Sequence, residues 1–228
     1  MVENIFAQAR RRQRDAEIEF RHFKALAMAE IDTLKAANPR FEALDAYFGF
    51  HVDNRDDIRL ELRFGRRSMF RKDYDGKQTA TEDGASLLYS LGAMGDIATI
   101  LYPAKSTFGK TEEDFVFRGI GPRSGHQVFG SLKRDFDDLV AYAYVSSIEA
   151  ETTWWERRRI GWLRFVSAMR VGDKHEAPKI KALMGGASKS LMLAFLTALM
   201  RPIAIVLVAA LLVWLGKDIW IDLLRGKA

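Results

Sequence analysis

The stretch SLMLAFLTALMRPIAIVLVAALLVWLG, Ser190 to Gly216, constrains this chain more than any other feature. It runs for 27 residues with a single charge, Arg201. A helix of that length measures roughly 40 Å, against a hydrocarbon core of about 30 Å. Leu, Ile, Val, Ala and Met surround such a helix on every side, so no polar face remains for water. The stretch also far exceeds the about 11–12 residues of an ordinary core helix, which argues against burial in a soluble domain. It reads as a membrane-spanning helix.

Arg201-Pro202 interrupts it. An arginine at the bilayer centre costs at least ~2.5 kcal/mol, and proline removes a backbone hydrogen bond. One arrangement sets the span deeper, with Arg201 snorkelling to the near headgroups and Pro202 kinking the helix. The other folds the two apolar halves into a shallow re-entrant hairpin. Each half falls short of the ~20 residues a crossing needs, so the single kinked span is preferred.

Basic residues close to a span orient it. Lys174, Lys179, Lys181 and Lys189 precede this one, with Arg157, Arg158, Arg159, Arg164 and Arg170 farther upstream. Only Lys217, Arg225 and Lys227 follow, diluted by Asp218 and Asp222. The expectation is an integral protein of a bacterial-type inner membrane, with a cytoplasmic N-terminal domain and a single C-terminal span. Trp214 and Trp220 suit the far interface. So short a tail implies insertion after translation, as for a tail-anchored protein. The start, MVENIFAQARRRQR, is not a secretory signal.

Charge supports this layout. Of the net +5, residues 1–150 carry 22 Lys and Arg against 24 Asp and Glu, whereas residues 151–189 carry nine against four. The basic excess lies just ahead of the apolar stretch, where anionic lipid would meet it. An acidic first 150 residues argues against a nucleic-acid partner. With no cysteine, the chain has no disulfide, zinc-thiolate site or thiol nucleophile.

Residues 3–37 read as a long helix with a stripe of Phe6, Ala9, Ala16, Phe20, Phe23, Ala27, Ile31 and Leu34, ended by Asn38-Pro39. The stripe is either a coiled-coil seam or the face of a helix lying on a sheet. It is the expected route to a protein partner or to self-association. DIRLELRF alternates as a half-buried strand, with Ile58, Leu60, Leu62 and Phe64 inward. YFGFHV is its partner across DNRDD, and DYDGK is a second turn. ASLLYSL and DIATILYP form a hairpin across GAMG, and DFVFRGI is a further strand. An antiparallel sheet of about four to six strands results. After GIGPRSG, helical spacing resumes at Val128, Leu132, Phe136, Leu139, Val140 and Ala143 and can extend into ETTWWERRRIGWLRFVSAMR. The expected class is α+β: an antiparallel sheet flanked by a long N-terminal helix and a C-terminal helix, followed by a transmembrane helix. The divisions are residues 1–38, an amphipathic helix; 39–170, the soluble α+β domain; 171–189, a basic flexible linker; and 190–228, the anchor and tail.

Three motifs carry candidate chemistry. AKSTFGKT, with Gly109, Lys110 and Thr111, matches a relaxed phosphate loop. It follows an apolar strand, but the residues after it are β-rich and glycine-broken, and the helix such a loop needs is missing. A polar hairpin is the preferred reading. RGIGPRSGH is a better anion site. Arg118 and Arg123 supply charge, Gly119 and Gly121 expose backbone N–H groups, Ser124 caps the helix beginning near His126, and His126 borders the site. WWERRRIGWLRF interleaves Trp154, Trp155 and Trp162 with Arg157, Arg158 and Arg159. Tryptophans settle at headgroup level and arginines attract anionic lipid, so this segment is a membrane-interface candidate, as is Arg201. Its alternative is a helix packing its tryptophans into the core.

Acidic clusters at Asp56-Asp57 and Asp135, Asp137 and Asp138 read as solvated faces, and the four histidines show no local pair at metal spacing, so no metal or cofactor is expected. RFGRRSMFRKDYDGK reads as a solvated basic and aromatic hairpin tip. The functional expectation is a membrane-anchored, cytoplasm-facing binding, sensor or scaffold protein, or an oligomerising membrane effector. The alternative is a membrane-tethered enzyme acting on a phosphate-containing ligand.

Overall fold

The computed structural model describes residues 5–172 and 174–178. The chain divides into two units, Met1–Lys179 and Ile180–Ala228, and the described residues lie in the first. The apolar stretch 190–216, with Arg201, Trp214 and Trp220, lies outside the described residues. Among the described residues, no helix is long and apolar enough to cross a membrane.

The first element, α1 (Ile5–Ala37), buries Phe20, Phe23, Ala27, Ile31 and Leu34 as one stripe. Residues 8–15 are exposed, so the first turns project beyond the core rather than extending the stripe back through Ala9. A short helix, α2 (Phe41–Phe48), follows Pro39 and ends at Gly49, whose φ of 68° suits glycine. The stretch YFGFHV is therefore divided. Tyr47 and Phe48 close α2, and only β1 (Phe50–Asp53) is strand.

From β1 the chain builds a seven-stranded sheet. Its members are β2 (Arg59–Phe64), β5 (Ser86–Leu91), β6 (Ile97–Tyr102), β9 (Phe115–Gly119), β10 (Met169–Val171) and β11 (Lys174–Glu176). Their order is β1-β2-β5-β6-β9-β10-β11, every pairing antiparallel. A second sheet, β3-β4-β7-β8, is formed by β3 (Arg66–Lys72), β4 (Thr79–Asp83), β7 (Lys105–Ser106) and β8 (Gly109–Lys110). The expected four to six strands are thus exceeded. Four of the extra strands are two or three residues long, too short to show alternation, while β3 (RRSMFRK) is largely basic and β4 (TATED) largely polar, so neither shows a hydrophobic period.

Strand period explains the layering. Leu60, Leu62 and Phe64 point inward from β2, as do Leu87, Tyr89 and Leu91 from β5 and Ile97 and Leu101 from β6. Ile58 precedes β2 and is 44% exposed, so it does not join them. Against this face lie α1, α2 and α3 (Gly125–Ser146), and α4 (Trp154–Val166) packs on α3. The helical pattern after GIGPRSG does not run through. It stops at Ser147, and Thr153 starts a new helix with a capping box to Glu156. At the crossing of α1 and α3, a Cβ on Gly125 would overlap the Glu19 carbonyl, so only glycine admits that approach. The result is an α+β fold with a large antiparallel sheet.

Candidate functional site

The phosphate-loop motif folds as a hairpin. Lys105 pairs with Lys110 and Ser106 with Gly109, giving β7 and β8. The Ser106 hydroxyl donates to the Gly109 carbonyl at 3.1 Å and accepts from the Phe108 N–H at 3.1 Å. Thr111 donates its hydroxyl to the Glu113 carbonyl at 3.0 Å. The next element is β9, not a helix, so the strand–loop–helix order of a phosphate loop is not met.

In RGIGPRSGH, the structure brings the expected residues together but joins them to internal partners. Arg118 lies 3.0 Å from Asp135 and 2.8 Å from Asp138, with its side chain 11% exposed. The Asp135 carboxylate also accepts from the Tyr89 hydroxyl at 3.1 Å and the Ser131 hydroxyl at 2.9 Å. Burial first, and the Asp135 charge second, push the Tyr89 phenol well up, so it stays a donor. Arg123 donates to the Ile97 carbonyl and the Thr99 hydroxyl, both at 2.9 Å, and to the Gly119 carbonyl. Its Nε is buried without a hydrogen-bond partner. Ser124 caps α3 in a reciprocal box with Gln127. The Gly125 N–H donates to the Glu19 carboxylate at 3.0 Å, so α1 itself places an anion at the start of α3. Gly121 sits at a φ of 144° in the loop, and His126 is exposed.

The acidic run of α3 is structural and not the solvated face expected of it, since Asp135 and Asp138 are buried. Asp138 pairs with Arg159 as well as Arg118, and Asp137 with Lys133. Among the described residues, no group of three or more His, Asp or Glu is placed to hold a metal ion. In the basic hairpin, Arg66 pairs with Asp83, Arg67 with Glu82 and Glu149, and Arg71 with Glu149.

One candidate presents itself outward. Helix α4 buries Glu156, Ile160 and Leu163 and leaves Trp154, Trp155 and Trp162 60%, 70% and 62% exposed. The alternative of tryptophans packed in the core is therefore not what the structure shows. Trp154 and Trp155 stack edge-on with centroids 4.5 Å apart, and the Arg158 guanidinium sits 5.2 Å from the Trp154 ring. Trp162 lies 5.8 Å from Phe165. Arg157 and Arg158 share the exposed side, whereas Arg159 turns inward to Asp138 and the Arg134 carbonyl.

A groove that the motifs did not announce lies between α2, β3 and the α3–α4 loop. It measures about 390 Å³, and Tyr47, Phe48, Phe70 and Glu149 are among its lining residues. Phe70 has a φ of 53°, a strained value for a bulky side chain, and is 87% exposed. Helical reading of FEALDAYF would have paired Ala43 with Tyr47. No residue pattern signals the backbone of Phe70. Compared with protein-family models, curated proteins and solved structures, the chain matches none.

Proposed function

We propose that this chain is a membrane-anchored, cytoplasm-facing binding or scaffold protein without catalysis. The anchor is the apolar stretch 190–216, and α4 is a second, interfacial contact. The observation that carries this reading is the outward tryptophan and arginine face of α4. Three indole rings in water are costly for a soluble domain, each withholding a large apolar area from burial. At a headgroup layer the same rings find both an apolar and a polar neighbour, and Arg157 and Arg158 meet anionic lipid. An enzyme acting on phosphate gains nothing from the geometry, because Arg118, Arg123 and the N-terminus of α3 are engaged within the chain.

The test is an alkaline-carbonate wash of cell membranes, comparing the full chain with one ending at Lys189. The full chain stays in the pellet and the shortened one is released. A full chain that washes off overturns the anchor.

A further inference from the structure

The groove between α2, β3 and the α3–α4 loop has the chemistry of a docking site. The one guanidinium among its described lining residues is already committed. Arg67 donates through Nε and Nη2 to Glu82 and through Nη1 to Glu149, and it lies 5.1 Å over the Phe48 ring. An anion entering the groove would meet an Arg67 already paired with two carboxylates. One carboxylate, in contrast, is on offer. Glu151 lines the groove, and its carboxylate meets no cation among the described residues. Glu149 is itself committed, its two carboxylate oxygens paired with Arg67 and Arg71.

The walls are aromatic and unusually exposed. Tyr47 on α2 is 67% exposed and Phe70 on β3 is 87% exposed, over an apolar floor that includes Leu44, Phe48 and Ala150. Phe70 is held outward by a backbone distortion. Register slips between Ser68 and Lys72, and Phe70 takes a left-handed conformation within that slip. Strain of this kind persists at sites where the displaced side chain has a use. A small molecule lying on the floor would leave most of the Phe70 ring in water, so the occupant must be large enough to cover both rims.

We propose that this groove docks a partner protein through a segment that sets an apolar or aromatic side chain beside lysine or arginine. The apolar group lies between Tyr47 and Phe70. The cation meets Glu151 and, over the ring faces, a favourable quadrupole. This deepens the reading of the chain as a binding protein and stands apart from its membrane anchor, since carbonate extraction is indifferent to the groove.

The test is a random heptapeptide display library panned on the full chain, with synthetic versions of the enriched peptides titrated against Phe70→Gly and Glu151→Lys variants. Enriched sequences place Leu, Ile, Phe or Trp next to Lys or Arg, and each variant loses about tenfold or more in affinity. The Phe70→Gly protein melts no lower than wild type, so its loss of binding is not a loss of fold. Enrichment of acidic or uncharged peptides, affinity unchanged by both substitutions, or no enrichment at all overturns the proposal.

Discussion

Phe70 shows how one residue sets stability against use. Its φ of 53° costs a bulky side chain on the order of 1–3 kcal/mol, and with 87% of it exposed it gains little from packing. Glycine at that position removes the strain and adds only the ~0.5–1 kcal/mol of extra chain entropy. Phe70→Gly should therefore raise stability by about 1 kcal/mol, read as a higher denaturant midpoint at unchanged slope. A lower midpoint would mean the ring packs in solution. Tyrosines offer a second residue-scale test. Burial, followed by the nearby carboxylates of Asp135 and Glu113, pushes Tyr89 and Tyr142 above the usual phenol value. Each stays protonated in the fold where the unfolded phenol would ionise. Their contribution is complete below about pH 10 and is lost as pH rises toward their folded values. Ultraviolet titration should show both phenols ionising only with alkaline unfolding. Ionisation of all six tyrosines near pH 10 in a folded chain would contradict the buried geometry.

At the scale of elements, α4 separates packing from binding. Its inner residues Ile160 and Leu163 fix it to the fold, and its tryptophans do not. Replacing Trp154 and Trp162 by Ser should leave the melting temperature within the reach of about 0.5 kcal/mol. The same change should weaken flotation of the chain ending at Lys189 with phosphatidylglycerol vesicles by about tenfold, and pure phosphatidylcholine should bind either protein poorly. A large fall in melting temperature would return α4 to a core role. Helices and alternating strands of this fold were legible because burial imposes periods of 3.6 and 2 on their residues. The hairpin of β5 and β6, the strand β2 and the cap at Ser124 follow from such patterns. The break between α3 and α4 was missed by the helical period, which carried the pattern into ETTWWERRRIGWLRFVSAMR, although TTWWE holds its signal in the capping box of Thr153 and Glu156. The two-residue strands β7 and β8 were not legible as strands, because no period exists over two residues. The candidate anion site was readable as a turn into a helix. Its internal partners, Glu19, Asp135 and Asp138, come from other turns of the chain, and only tertiary structure brings them to it.

For the whole molecule, the proposed anchor gives most weight to Arg201, because its substitution separates the scaffold reading from the effector reading. If the apolar stretch is one kinked span with Arg201 at the near headgroups, the charge is solvated by snorkelling, and it matters little once the chain is inserted. If several chains gather, Arg201 lines a polar path between spans, and its removal closes that path. Arg201→Leu lowers the insertion cost by ~2.5 kcal/mol or more in either case, so anchoring against carbonate survives the substitution. The readings part on leakage of a trapped dye from reconstituted vesicles. A scaffold leaves the dye in place with either protein. A membrane effector releases it with the wild-type chain and fails to do so with Arg201→Leu. The contacts proposed for the α4 face and for the groove favour the scaffold, since neither requires passage through the membrane. The expected result is retention of the dye with both chains, and wild-type leakage abolished by the substitution would reverse that assignment.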